Sequence, residues 1–121
     1  MKKAAFLLLG LAVAAATPAH ADATAGATIF KTKCGMCHAA DANKIGPQLN
    51  NVVGRKAGSI AGFAYSSAVK ASGLTWDEAT LDKWLTGPGV LVPGTKMVFK
   101  LATPQERTDV IDYLKTLVSK P

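Results

Sequence analysis

The feature that most constrains this chain is the segment Cys34-Gly35-Met36-Cys37-His38, because it holds the only two cysteines among 121 residues. Two thiols three positions apart at a helix end can each form a thioether with one vinyl group of the same porphyrin. The histidine that follows is then held where its imidazole reaches the iron from one side. The segment therefore predicts one covalent haem c attached through Cys34 and Cys37, with His38 as an axial ligand.

Two other uses of a closely spaced cysteine pair stay open at this point. A redox-active dithiol of the thioredoxin type lies near a βαβ pattern, and no segment of this chain alternates as a strand would. A zinc site needs two further Cys or His ligands. Beyond residue 21, however, His38 is the only histidine and there is no third cysteine. Both alternatives are therefore weaker than haem attachment.

The first 21 residues have the three-part layout of a secretory signal peptide. Lys2 and Lys3 form a short positive head, an apolar run covers residues 4–16, and small residues surround a cleavage point near Ala21. The run is shorter than the roughly 20 residues that span a bilayer, and an uncleaved N-terminal anchor is the alternative. We expect cleavage near Ala21, a periplasmic location without stable membrane insertion, and a single mature domain over residues 22–121.

Net charge argues against one broad class of function. The whole chain carries +6, and loss of the first 21 residues lowers this to +4, because Lys2 and Lys3 are the only charged residues in that segment. This mild excess comes without a dense Lys/Arg run, so we expect no binding to nucleic acid. A moderate positive bias instead suits contact with acidic protein surfaces.

The spacing of apolar residues predicts an all-α domain. We expect helices over four segments: 24–33, 66–72, 75–87 and 103–118. In two of them a Thr-x-x-Glu capping box marks the start, with Thr75 and Thr103 as the caps. The segments 46–58 and 87–101 are rich in Gly and Pro, and we expect long irregular loops there. Such loops need something to lie against in so small a domain, and a buried haem would provide it.

The iron requires a second axial ligand, and the chain beyond residue 21 offers two methionines. Met36 lies inside the attachment segment, on the same face as His38, and cannot reach the opposite side. Met97 lies far along the chain in a Pro/Gly-rich loop. A methionine is more often a gap-filling core residue, but elimination favours ligation by His38 and Met97 here.

These residues and several further segments resemble the class I c-type cytochromes, the group of mitochondrial cytochrome c and bacterial cytochrome c2. The matching segments occur in the family's order: Ile29-Phe30, Ile45-Gly46-Pro47-Gln48-Leu49, Val53–Gly58, Gly62–Tyr65, Leu74–Trp76, Pro93–Phe99 and Ile111–Leu114. The resemblance implies a small cytochrome c fold, in which crossed N- and C-terminal helices enclose one haem. It also implies that Gly26 lies at the crossing and that Phe30 packs against the helix bearing Tyr113.

The resemblance further assigns residues around the haem. Pro47 matches the proline whose carbonyl accepts a hydrogen bond from the ligating histidine, although a simple turn is the alternative role. Arg55, Tyr65 and Trp76 match positions around the inner propionate, whose burial would be costly without hydrogen-bond partners. For Arg55 the alternative is a solvated surface charge. Thr95 is implied to serve the outer propionate.

Two aromatic residues and three lysines complete the set that the resemblance implies. Trp84 stands where many relatives carry a tyrosine over the methionine sulfur, and Phe99 is expected at the haem edge. Lys33, Lys96 and Lys100 would ring the exposed edge and meet acidic partners, although isolated lysines on a solvated face are the alternative.

The function implied by the resemblance is that of a soluble electron carrier rather than an enzyme. Electrons would pass by outer-sphere transfer between a bc1-type complex and a cytochrome oxidase or photosynthetic reaction centre, with the protein acting as a monomer. A haem enzyme such as a peroxidase would need an open iron position and a distal acid–base group, and the lack of a second histidine beyond residue 21 disfavours it. A domain that donates electrons only within one fixed complex is a further alternative.

Overall fold

The computed structural model describes residues 3–5, 9–10 and 20–119, so the predicted signal peptide lies mostly outside the described residues. The described part contains five α-helices: α1 (Ala23–Ile29), α2 (Ser67–Ala71), α3 (Glu78–Thr86), α4 (Pro88–Leu91) and α5 (Pro104–Lys115). It contains no strand, and its one isolated antiparallel bridge joins Lys56 to Thr75. The all-α prediction is confirmed.

Helices α1 and α5 cross in direct contact. A β-carbon on Gly26 would overlap the backbone carbonyl of Asp109 and lie 2.8 Å from the Cβ of Tyr113. One turn further along, the rings of Phe30 and Tyr113 pack with their centroids 5.4 Å apart. The predicted crossing of the first and last helices at Gly26 is confirmed, and only glycine fits at this point.

The core draws on loops as well as helices. Its buried apolar residues are Val52, Ala57, Val69, Trp76, Leu81, Leu85, Val92, Leu101, Val110, Ile111 and Leu114. Several of them belong to the irregular segments, which are thereby fixed to the helices despite having little regular hydrogen bonding. Within the described residues, every helix falls short of the length and apolar character required to cross a bilayer.

The predicted capping box at Thr75 is wrong. Helix α3 begins at Glu78, and its cap is Asp77, whose carboxylate accepts a hydrogen bond from the Thr80 N–H at 2.8 Å. Trp76, which lies between the predicted cap Thr75 and the observed cap Asp77, explains the shift, because its N–H donates to the Arg55 carbonyl at 2.8 Å. This long-range bond keeps residues 75–76 extended, so the helix starts two residues later.

The second predicted box gave the right start for the wrong reason. Thr103 is the N-cap residue of α5, but its side chain makes no capping hydrogen bond, and Pro104 opens the helix. Glu106, the expected partner, instead forms an ion pair with Lys33 at 2.9 Å. Proline at the first helical position has no N–H that needs a cap.

Two segments differ in local conformation from the prediction. The expected single helix over 24–33 changes from α to a π-helical turn at Phe30–Cys34. The expected loop over 87–101 contains the short helix α4, in which the Val92 N–H donates to the Pro88 carbonyl at 2.8 Å. Pro88 is fully buried and fixes the helical φ at the first position of α4.

Candidate haem site

The cysteine segment is presented by the π-helical turn that follows α1. The Gly35 N–H donates to the Phe30 carbonyl at 2.8 Å and closes this wider turn. The N–H groups of Cys37 and His38 then both donate to the Cys34 carbonyl, at 3.1 and 2.9 Å. One tight turn therefore carries both thiols and the imidazole, and π-turns of this kind are frequent at functional sites.

The two thiols are half-buried and are not bonded to each other. Burial, with a smaller contribution from Cys37, raises the pKa of the Cys34 thiol to about 11, although Lys33 opposes this shift. Nucleophilic dithiols work through a lowered cysteine pKa, so this environment disfavours the thioredoxin-type alternative. The described residues contain no group of three or more His, Cys, Asp or Glu side chains that could hold a metal ion.

The His38 ring is oriented by a backbone carbonyl. Its Nδ1 lies 2.8 Å from the Pro47 carbonyl oxygen, and because a carbonyl can only accept, Nδ1 carries the proton and Nε2 keeps its lone pair. Burial lowers the pKa of His38; the Pro47 bond opposes this shift, while Arg55 and Lys44 add to it. The imidazole is therefore held neutral, in the protonation state that binds a metal.

A short segment, residues 44–47, closes against this ring. The Gly46 N–H donates to the Cys37 carbonyl at 2.7 Å, and the Lys44 Nζ donates to the Gly35 carbonyl at 2.7 Å. A β-carbon on Gly46 would lie 2.7 Å from Nδ1 of His38. The sequence prediction assigned no role to Gly46 or Lys44. The one sequence feature that could have indicated the role of Gly46 is its position directly before Pro47, the proline predicted to contact His38.

Arg55 provides a buried donor group. Its Nη1 donates to the Asn50 carbonyl at 3.0 Å and its Nη2 to the Gln48 carbonyl at 2.9 Å. The Nε atom is buried and has no hydrogen-bond partner among the described residues. Burial lowers the pKa of this guanidinium, and Tyr65 opposes the shift. A buried charged donor without a partner is costly, so Nε is suited to an anionic group of a bound cofactor.

Aromatic residues lie around Arg55. The Trp76 side chain is buried and meets Trp84 edge-on, with ring centroids 5.0 Å apart. The Tyr65 hydroxyl accepts a hydrogen bond from the Ile60 N–H at 3.0 Å, which leaves its own proton free to donate to another acceptor. The backbone bond from Trp76 to the Arg55 carbonyl joins this group to the arginine.

Together these groups fit a haem. The chain offers two half-buried thiols on one turn, a neutral imidazole with a directed Nε2, and a buried guanidinium nitrogen suited to a propionate. Cys34 and Cys37 supply the thiols, His38 supplies the imidazole and Arg55 supplies the guanidinium nitrogen. These groups do not use one another as bonding partners, so each is available to the cofactor. The donor set therefore agrees with the cofactor that the cysteine segment predicts.

The two candidate sixth ligands differ in exposure. Met36 is 81% exposed, whereas Met97 is half-buried and packs against the core cluster. The Met97 N–H donates to the Thr95 hydroxyl at 3.4 Å. The neighbouring side chains point outward, with Val98 83% and Phe99 37% exposed. Met97 is thus the inward-facing residue of an otherwise exposed segment.

The far end of the Met97 loop is fixed by an arginine that the sequence prediction missed. Arg107 of α5 donates from Nη1 to the carbonyls of Leu101 and Ala102, at 2.9 and 3.0 Å. Its Nε donates to Asp82 of α3 at 2.8 Å. The loop that carries Met97 is therefore tied to both α3 and α5. Arg107 lies early in the predicted helix over 103–118. From sequence alone, a charged side chain at that position is expected to be exposed to solvent, so its role was not predicted.

The three predicted docking lysines differ in their surroundings. Lys33 is paired with Glu106, as described above, so its charge is offset locally. The Lys96 Nζ donates to the Ala64 carbonyl at 3.1 Å, which leaves its charge uncompensated by that bond. Lys100 is exposed and follows Phe99 directly. Lys96 and Lys100 thus flank the outward-facing part of the Met97 loop.

Comparison with known proteins gives consistent matches. The family model described as Cytochrome c matches residues 23–118. A cytochrome c2 of Rhodomicrobium vannielii is 50% identical, over 96% of this chain and 97% of that protein. The structure of cytochrome cH from Methylobacterium extorquens has a TM-score of 0.76 and 50% identity, covering 78% of this chain and 98% of its own. The ferricytochrome c2 of Rhodopseudomonas palustris has a TM-score of 0.75 and 43% identity, covering 79% and 98%.

Proposed function

The chain belongs to the cytochrome c family, whose members carry electrons through covalently bound haem c, and on this premise we propose that it is a soluble periplasmic carrier with His38 and Met97 as axial ligands. The observation that carries the proposal is the His38–Pro47 contact of 2.8 Å. It fixes a neutral imidazole next to both thiols, which is the arrangement a permanent iron ligand requires.

The bound haem supplies a one-electron couple between Fe(II) and Fe(III). The chain's own residues set which state is favoured. Neutral imidazole from His38 and thioether from Met97 both suit the reduced metal. The apolar core around Met97 adds to this preference, because an extra positive charge is costly in a poorly solvated interior. Arg107 and the His38–Pro47 bond hold the two ligand-bearing segments, so little rearrangement accompanies electron transfer.

The protein transforms no substrate in this proposal. A haem enzyme would need an open iron position and an acid–base group beside it, and beyond residue 21 the sequence contains no histidine other than His38. If His38 and Met97 both bound the iron, no position on the metal would remain for a substrate. Outer-sphere electron transfer needs neither an open iron position nor an acid–base group.

The partners are redox proteins with acidic docking surfaces, met by Lys96 and Lys100 around Phe99. A bc1-type complex is the donor, and a cytochrome oxidase or photosynthetic reaction centre is the acceptor. Lys33 contributes less to this steering, because Glu106 offsets its charge. A rim of positive charge raises the rate of encounter more than the affinity, which suits a monomeric protein that must leave each partner quickly.

The first 21 residues direct export and are removed near Ala21. Thioether attachment of haem outside the cytoplasm agrees with a secretory signal ahead of the cysteine segment. The mature domain then covers residues 22–121 and includes every residue of the haem site. Mass spectrometry of the exported protein tests the cleavage point directly.

Haem staining after denaturing, reducing electrophoresis tests the proposed function. The chain is produced in a host that exports proteins and attaches haem c. Staining should persist on the denatured chain, and the purified protein should be reduced and reoxidised reversibly by one electron. The double change Cys34→Ser and Cys37→Ser should abolish staining, whereas Met36→Leu should not. A chain that stays unstained, or a stained protein that turns over peroxide rapidly, would contradict the carrier function.

A further inference from the structure

Asp109 is a buried acid that the haem site does not use. It lies on α5, is 7% exposed, and is the only buried polar or charged residue found in the described part of the chain. Its Oδ1 accepts hydrogen bonds from the Asp22 backbone N–H at 3.0 Å and from the Gln105 Nε2 at 2.9 Å. Both donors are neutral, so a carboxylate removed from water has no positive partner in these contacts. That arrangement is costly.

The Asp22 nitrogen is fixed by the residues that follow it. The Asp22 carboxylate caps α1 by accepting from the N–H groups of Thr24 and Ala25, at 2.9 and 3.1 Å. Its carbonyl accepts from the Gly26 N–H at 2.9 Å. Because Gly26 packs directly on α5, these bonds hold the Asp22 nitrogen in place through the residues that follow it.

The preceding residue His20 is attached here through its backbone carbonyl. The Gln105 Nε2 donates to the His20 carbonyl at 3.0 Å as well as to Asp109. Removal of His20 and Ala21 would therefore leave Gln105 bonded to Asp109 and take away only one backbone acceptor.

We propose that removal of the leader after Ala21 converts this hydrogen bond into a partly buried ion pair between the new α-ammonium group of Asp22 and the Asp109 carboxylate. The inference rests on the proposed cleavage point and goes beyond electron transfer. A peptidase of the secretory pathway breaks the Ala21–Asp22 amide bond with one water molecule. The leader leaves with a carboxylate on Ala21, and the freed nitrogen takes up a proton.

The change in donor accounts for the expected effect. An amide nitrogen offers one N–H and no charge, whereas an ammonium offers three and a full positive charge. Charge-assisted hydrogen bonds are roughly twice as strong as neutral ones. The positive end of the α1 dipole opposes an ammonium at this point, but the Asp109 carboxylate, which already accepts a hydrogen bond from this nitrogen, offsets that opposition. Processing thus locks α1 against α5 at the point where the two helices cross.

Four holoproteins test this coupling. The leader is placed so that the purified chain begins either at Asp22 or at His20, and each form is made with Asp109 or with Asp109→Asn. Each N-terminus is verified by mass spectrometry. Asp109→Asn should lower the thermal midpoint by several degrees in the chain that begins at Asp22, and by clearly less in the chain that begins at His20. An equal loss in both forms would overturn the proposal.

Two further readings keep the test decisive. Asp112→Asn makes the same charge change on α5, and its effect should not depend on the N-terminus. If Asp109→Asn prevents folding, the two forms that retain Asp109 decide the question. The chain that begins at Asp22 should then melt several degrees above the chain that begins at His20. Equal thermal midpoints would overturn the ion pair. A wild-type exported protein with another N-terminus would also overturn it, but would leave reversible haem redox chemistry, and hence the carrier function, standing.

Discussion

Gly46 lies directly against the imidazole of His38, since a β-carbon on Gly46 would stand 2.7 Å from Nδ1 and 2.8 Å from Nε2. No side chain fits between this backbone and the ring. The same glycine donates its N–H to the Cys37 carbonyl at 2.7 Å. The plane of the His38 ring is therefore set on one face by packing against the Gly46 backbone and at Nδ1 by the Pro47 carbonyl.

Gly46→Ala is expected to destabilise the protein by about 1–3 kcal/mol, the usual cost of overpacking a tight contact. The added methyl group must push the His38 ring aside or lengthen its bond to Pro47. Thermal unfolding of the holoprotein measures the loss, and the redox potential should shift with it. Gly89→Ala is the matched control, because nothing lies within 4 Å of the added carbon. Equal midpoints for the two variants would contradict the packing argument.

Arg55→Leu is expected to lower the redox potential. A positive charge beside the cofactor favours the less positive Fe(II) state, so its removal favours Fe(III). Arg55→Lys keeps the charge but cannot reproduce the planar fork that serves Gln48 and Asn50, so it should change the potential less while still costing about 1–3 kcal/mol of stability. Potentiometric titration and thermal unfolding separate the two effects. An unchanged potential in Arg55→Leu would contradict the role proposed for this guanidinium.

The sequence pattern correctly predicted the helices whose caps and apolar faces are set by neighbouring residues. Helix α2 lies within the predicted 66–72 and is capped by Ser66, because its cap and its terminating glycine are neighbours in sequence. Helix α5 was predicted from the regular spacing of Val110, Ile111 and Leu114, which are all buried. The crossing at Gly26 followed from the family resemblance rather than from spacing.

The features that sequence could not predict depend on contacts between distant segments. The cap of α3 moved to Asp77 because a backbone bond from Trp76 to Arg55 overrides the local preference of Thr75. Glu106 pairs with Lys33, 73 positions away, instead of closing a capping box. The close approach of Gly46 to His38 and the hold of Arg107 on the Met97 loop are likewise visible only once the chain is folded.

Replacing both Lys96 and Lys100 with glutamine should slow electron transfer to an acidic partner by about tenfold at low ionic strength. The difference should shrink as salt rises, because the Debye length is about 10 Å at 0.1 M. Stopped-flow kinetics with a purified acidic redox partner measures this. The single change Lys83→Gln, on the exposed side of α3, is the control and should have little effect. If the double variant and the wild type transfer electrons at the same rate at every ionic strength, the proposed docking role of Lys96 and Lys100 is contradicted.

Asp77 gives a pH dependence to the stability of α3. Its hydrogen bond from Thr80 holds the pKa of this carboxyl below its usual range. Because the folded pKa is the lower one, the stabilisation is fully present above the unfolded value of about 3.9 and is lost as pH falls through the folded value. Asp77→Ala should therefore melt a few degrees below wild type at pH 7, and the gap should close in acid. A gap that stays constant from pH 7 to the acid limit would contradict this account.

Iron K-edge X-ray absorption of the oxidised and reduced protein tests the central claim, that His38 and Met97 would both bind the haem iron. Wild type should show one sulfur neighbour at thioether distance together with nitrogen neighbours, and Met36→Leu should leave this pattern intact. Met97→Ala should lose the sulfur, lower the potential and bind added azide. Only light-atom neighbours in the wild type, or a sulfur that persists in Met97→Ala, would contradict the assignment.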